Sequence, residues 1–237
     1  MCHKIVTLTS YGLRLNGTLP KTLESVYANM TPDAVVLYVS GNDKYVKRLN
    51  ESAFRDFPNL DIRYVGHDCK SHNKYTALSE REFDGDFVWV IDDDLIYDPD
   101  CWRTFEQAYE KHGSDYVYSF GMRRVGFPFL EQDFITNTGV YHDGFVVYSG
   151  WGLVFPPNVM RLERADIDEA YRVSPTCDDT YLSPYMISHG IGVCNLSGTR
   201  KNRKQRLPIG CGTLYNFNRT KYDRHIRDNF AHFGLSV

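Results

Sequence analysis

Apolar runs and helical spacings alternate from residue 4 to residue 91, and this alternation restricts the chain more than any other feature. Residues 4–8 read as a short buried strand, and Leu19, Leu23, Val26, Tyr27 and Met30 then recur at helical spacing. Pro20 stands beside the start of that helix, where a proline is well tolerated. Residues 34–39 predict a second strand, 45–54 a second helix, 61–65 a third strand, 74–83 a third helix and 87–91 a fourth strand. Strands joined by helical crossovers run parallel, and the crossovers are right-handed. The expected fold is therefore α/β, a Rossmann-like, mostly parallel central sheet flanked by helices, although no G-x-G-x-x-G is present. Beyond Asp94 the pattern is irregular, with a helix over 99–112, strands over 116–120 and 144–148, a helical piece after Pro156-Pro157 and a helix over 178–189.

A chain of 237 residues, 42% hydrophobic, with no internal repeat and no low-complexity linker, reads as one domain. It divides into residues 1–94, the nucleotide-platform half, and residues 95–237, a mixed half. A formal net charge of -3 argues against nucleic acid as a partner, because such binders carry a basic surplus. No apolar stretch approaches the ~18 residues of a membrane span. No charged segment followed by a long apolar one precedes the first strand, so the expectation is no secretory signal and a cytoplasmic location. Six cysteines are scattered without a C-x-x-C pair, which favours reduced thiols and argues against a zinc site. The basic run 200–206 is either a solvated loop, a cover over an anionic ligand or a peripheral contact with an anionic membrane.

The chemistry concentrates where Phe87-Val88-Trp89-Val90-Ile91 ends in Asp92-Asp93-Asp94. Ligands of open α/β sheets bind at the carboxyl ends of the strands. Three adjacent carboxylates repel one another, and a cation among them relieves that repulsion. Mg²⁺ and Mn²⁺ prefer oxygen donors and are commonly shared between carboxylates and phosphates. In an extended backbone Asp92 and Asp94 point the same way and can face one ligand together. The competing reading is a solvated turn. Gly150-Trp151-Gly152 offers either a stacking face for a sugar ring or a core tryptophan at a tight turn. Asp178-Asp179 could also simply begin a helix.

Thr9-Ser10-Tyr11, Lys74-Tyr75, Asp92-Asp93-Asp94, residues 151–157 and Cys177-Asp178-Asp179 occur in that order. The set resembles the GT-A glycosyltransferases, in particular small bacterial and viral enzymes related to family 2. The resemblance implies transfer from a nucleotide-sugar donor, a UDP-sugar by expectation, to a saccharide or glycoconjugate acceptor, with residues 95–237 as the acceptor-binding half. It implies that Thr9, Tyr11 and Arg14 line the nucleotide pocket and that Lys74 reaches the ribose or diphosphate. Asp92 approaches the ribose or the metal, Asp93 lies with the donor, and Asp94 ligates Mn²⁺ or Mg²⁺. His189, His225 or His232 could complete the metal shell. Asp178 or Asp179 is the general base, which implies inversion, and Trp151 and Gly152 face the acceptor. The acceptor-side loop departs from the usual family 2 pattern. Three other readings are a haloacid-dehalogenase-like phosphatase, a nucleotidyltransferase and a non-catalytic sugar- or nucleotide-binding module. The phosphatase fits poorly, since three strand–helix units precede Asp92.

Overall fold

The structure, a computed structural model, describes residues 2–41, 54, 56–196, 202–204 and 220–237. The helix expected over 45–54 lies, but for Phe54, outside the described residues. In the first half, β1 (Lys4–Thr9), α1 (Leu19–Asn29), β2 (Ala34–Ser40), β3 (Leu60–Val65) and β4 (Phe87–Val90) follow the expected order. Then come β5 (Leu95–Tyr97), α2 (Cys101–His112), β6 (Tyr116–Ser119), β7 (Met122–Arg124), β8 (Gly139–Tyr141), β9 (Phe145–Val147) and β10 (Leu153–Phe155). The chain continues through α3 (Arg164–Val173), α4 (Asp179–Ser188), β11 (Gly192–Asn195), β12 (Asn202–Lys204) and α5 (Tyr222–His232).

Eight strands form one sheet in the order β3-β2-β1-β4-β10-β6-β11-β8. The first four are mutually parallel, β10 runs antiparallel between β4 and β6, and β8 closes the edge antiparallel to β11. The pleat sends alternate side chains of the inner strands to opposite faces. Ile5, Val36, Val88 and Val90 join one core cluster, while Val6, Leu8, Val35, Leu37 and Trp89 join the other. α1 and α2 cover the second face through Leu19, Leu23, Val26, Trp102 and Phe105, and α3 and α4 supply Ile167, Ala170, Leu182 and Met186 to the first. With both faces covered, β1 and β2 read as continuous apolar runs.

Two differences from the sequence reading matter for the site. The helix expected over 74–83 is a 3-10 segment, Lys70–Ser79, followed by Arg81–Phe83. The Asp68 carboxylate accepts the Lys70 N–H and the Asn73 amide, and Asn73 Oδ1 accepts the Cys69 N–H, so side chains compete with the α-helical ladder from its first turn. His72 to Leu78 are all buried, which leaves no amphipathic stripe to favour an α-helix. The second difference is β10, three residues within a motif and too short for any periodicity. It places Leu153 beside Val90, so the segment entering β10 lies next to the segment leaving β4. Among the described residues no helix is long and apolar enough to cross a membrane.

Candidate active site

β4 ends in a fully buried apolar run, and the Ile91 N–H still donates to the Thr7 carbonyl of β1, which fixes where the aspartates emerge. The three then diverge. Asp93 and Asp94 sit in a turn and are buried, whereas the side chain of Asp92 is 38% exposed. The backbone turns at Asp93 and Asp94 and does not continue extended from β4. Arg14, from the 3-10 segment Gly12–Asn16 after β1, lies 2.7 Å from Asp93 Oδ1 and 3.4 Å from Asp94 Oδ2. The Ser10 hydroxyl donates to Asp93 Oδ2 at 2.5 Å. Burial pushes the Asp93 carboxyl up to about 6, against the pull of Arg14.

Lys74 is 2% exposed and its ammonium lies 2.6 Å from Asp92 Oδ1 and 2.7 Å from Asp178 Oδ2. It ties the end of β4 to the start of α4. Two neighbouring carboxylates outweigh the cost of burial and hold this ammonium well above the usual lysine range. Asp178, at the cap position of α4, also accepts from the Tyr75 hydroxyl at 2.9 Å. Although burial opposes it, Lys74 and His72 keep the Asp178 carboxyl well below the ordinary carboxylate range.

Asp179 is placed differently. Its Oδ1 accepts the Ser149 N–H at 2.8 Å and lies 2.5 Å from Ser149 Oγ, which in turn lies 2.9 Å from Asp178 Oδ2. A hydroxyl has one proton, so it cannot donate to both carboxylates. A proton on Asp179 satisfies the chain, with Asp179 donating to Ser149 and Ser149 to Asp178. Burial and the charge of Asp178 accordingly push Asp179 up to about 7. Ser149 has no sequence signature; its adjacency to Gly150-Trp151 was the available signal.

Gly150 and Gly152 are required by space. A Cβ at Gly150 would stand 2.0 Å from Asp92 Oδ2, and the Gly150 carbonyl accepts the Tyr97 hydroxyl, to which the Asp92 N–H donates. Gly152 has φ +107, and a Cβ there would lie 2.8 Å from Trp89 Nε1. Gly150→Ala is expected to drive the Asp92 carboxylate off Lys74 and lower turnover about 100-fold with little change in fold, as misplacement of one positioning group does. Steady-state turnover in the transfer reaction that the resemblance implies, together with circular dichroism, checks it.

The remaining expected residues fall as follows. Tyr11 is 40% exposed beside Arg14, and the Thr9 hydroxyl donates to the Tyr38 carbonyl. The Trp151 indole stacks on Phe134 and Tyr148, with centroids 5.1 and 5.4 Å away. His189 bonds the Tyr185 carbonyl, His232 lies 3.5 Å from Glu169, and His225 is on α5. Most of the run 200–206 lies outside the described residues, but the backbone of β12 pairs antiparallel with β5, directly after Asp94.

The family model for glycosyl transferase family 2 matches residues 11–172. Among solved structures, residues 1–349 of TarS from S. aureus superpose with a TM-score of 0.56 at 14% identity, covering 86% of this chain and 60% of that one. The chain thus spans about three fifths of that relative. The mannosyltransferase PcManGT from Pyrobaculum calidifontis, solved with GDP-Man and Mn²⁺, gives 0.55 at 16% identity over 98% of this chain and 64% of that one. The 4-diphosphocytidyl-2C-methyl-D-erythritol synthase of Anaerococcus prevotii gives 0.52 at 14% identity over 98% and 97%. No curated protein matches the sequence. At these identities the superpositions establish the GT-A fold, which transferases and nucleotidyltransferases share.

Proposed function

The chain belongs to glycosyl transferase family 2, and from that premise we propose that it moves a hexosyl unit from a UDP-sugar to an acceptor hydroxyl with inversion, in polysaccharide or glycoconjugate synthesis. Family membership sets aside the phosphatase and nucleotidyltransferase readings. Solved structures of TarS with UDP and of PcManGT with GDP-Man support a nucleotide donor for this chain as well. In this reading residues 1–94 take the donor and residues 95–237 the acceptor.

The observation that carries the proposal is the unequal treatment of Asp178 and Asp179. Asp178 is locked by Lys74, Tyr75 and Ser149 and is too acidic to take a proton. Asp179, poised near neutrality, is the general base that accepts the acceptor's hydroxyl proton. Tyr11 flanks the nucleotide base, with Thr9 and Arg14 beside it, and Trp151 and Gly152 border the acceptor. Lys74 orients Asp92 and Asp178 instead of reaching the donor itself.

The residues suit a hard divalent cation. Five carboxylates (Asp92, Asp93, Asp94, Asp178 and Asp179) surround two cations, Lys74 and Arg14, and every anionic donor is an oxygen. Asp92 and Asp94 would hold Mn²⁺ or Mg²⁺, which when bound neutralises charge on the departing diphosphate. UDP with Mn²⁺ is expected to raise the thermal midpoint, and Asp94→Ala to abolish the shift together with UDP release from a UDP-sugar panel. Phosphatase activity without nucleotide binding would overturn the reading.

A further inference from the structure

The turn after β3 and the exposed side of α3 bring together three groups that the proposed transfer does not use. His67 Nδ1 lies 3.2 Å from Asp168 Oδ1, Cys69 Sγ lies 3.4 Å from the same oxygen, and Sγ lies 3.8 Å from His67 Nδ1. Among the described residues this is the group of three metal-ligating side chains whose donor atoms all fall within 4.8 Å of one another. We propose that His67, Cys69 and Asp168 form a Zn²⁺ site, separate from the aspartates of β4, with the fourth position open to water.

The separations carry the argument. Zinc bonds of about 2.0–2.1 Å to nitrogen, 2.0–2.2 Å to oxygen and 2.3 Å to sulfur, set at tetrahedral angles, place the donors about 3.3–3.6 Å apart. All three observed separations fall within about 0.2 Å of that range. The mixture of imidazole, thiolate and carboxylate suits a borderline-soft ion and not Mg²⁺. His67 is 62% and Asp168 43% exposed at the side chain, so an ion has a path from solvent, whereas Cys69 is fully buried beneath them. The scattered cysteines argue against zinc only for a site built from cysteine pairs; this one uses a single thiol and a partner 99 residues away.

Binding balances simply. The Cys69 thiol, which burial pushes up to about 11 without the ion, releases its proton to solvent as the sulfur–zinc bond forms. The Arg164 guanidinium, 3.3 Å from Sγ and 3.2 Å from Asp168 Oδ1, is the cation that meets the site at present. It must swing outward from both atoms, which its 38% exposure permits. The ion then pins α3 to the turn that leads into Lys70–Ser79, the segment carrying Lys74.

The test uses the full chain after chelator treatment, titrated with Zn²⁺ and, for a spectroscopic signature, with Co²⁺. Thiolate-to-cobalt charge-transfer absorption is expected at one equivalent. It should persist in Cys2→Ser and Asp94→Ala and vanish in Cys69→Ser. Zn²⁺ affinity, measured against a chromophoric chelator, should fall at least about 100-fold in His67→Ala, since outer partners alone are worth 10–100-fold. His67 is exposed, so that variant keeps its fold when Cys69→Ser does not. Absence of the charge-transfer band in the parent, its loss in Cys2→Ser, or unchanged affinity in His67→Ala overturns the site. None of these readouts depends on glycosyl transfer.

Discussion

Asp179→Asn is expected to lower turnover by about 10²–10⁴-fold, the range supplied by a positioned general base. Asparagine still accepts the Ser149 N–H at Oδ1 and is neutral, as protonated Asp179 is, so the charges around Asp178 and Lys74 are kept. The parent should show an acidic limb in kcat/KM that rises with pH through about 7, because the base must lose its proton before it can act. That limb disappears in the residual activity of the variant. Stability moves the other way. A carboxyl whose folded pKa is raised binds a proton that the unfolded chain has already lost, so metal-free stability falls as pH climbs from about 4 to about 7. Asp179→Asn removes this decline, and its thermal midpoint at pH 8 without metal should exceed that of the parent. Equal turnover in parent and variant, or an acidic limb retained by the variant, would remove Asp179 from the reaction. Asp178→Asn serves as the contrast, since Asp178 is already ionised across this range and contributes no limb near 7.

The first half was legible because burial on both faces writes a strand as a near-continuous apolar run, and β2, β4 and, but for Thr7, β1 are of that kind. In the second half the expected elements over 99–112, 116–120, 144–148 and 178–189 appear as α2, β6, β9 and α4, whereas β7, β8 and β10 have three residues each, fewer than any period needs, and β10 was readable only as part of a motif. The same division runs through the site. Asp92-Asp93-Asp94 and Asp178-Asp179 stand out as charge after apolar sequence, whereas Ser149, which links both members of the pair, looks like any loop serine. Arg14 and Lys74 are cations, which favours giving them to an anionic donor. The structure shows both already engaged by carboxylates, a relation between residues 79 and 18 positions apart that spacing cannot reveal. The His67, Cys69 and Asp168 group is hidden for the same reason, since α3 closes it from a distance.

Lys74→Met is expected to produce the largest loss of stability. The substitution keeps the length of the side chain and removes the ammonium that lies within 3 Å of both Asp92 and Asp178. Asp92 is part-exposed and recovers solvation from water. Asp178 is 8% exposed and cannot, so a buried carboxylate loses its counter-charge. Removing one partner of a buried pair costs about 3–5 kcal/mol, most of it from the charge left behind. For a domain of this size that corresponds to roughly 6–20 °C in thermal midpoint. The decisive comparison is Lys74→Met with Asp178→Asn. If the cost lies in the stranded charge, the double variant recovers most of the lost stability, because a neutral amide still accepts from Tyr75 and Ser149. If it lies in lost packing around Met, the double variant is no better than the single one. Turnover stays lost in both, since nothing then holds the end of β4 against the start of α4, and Asp92 and Asp179 must keep a common register for donor and acceptor to meet.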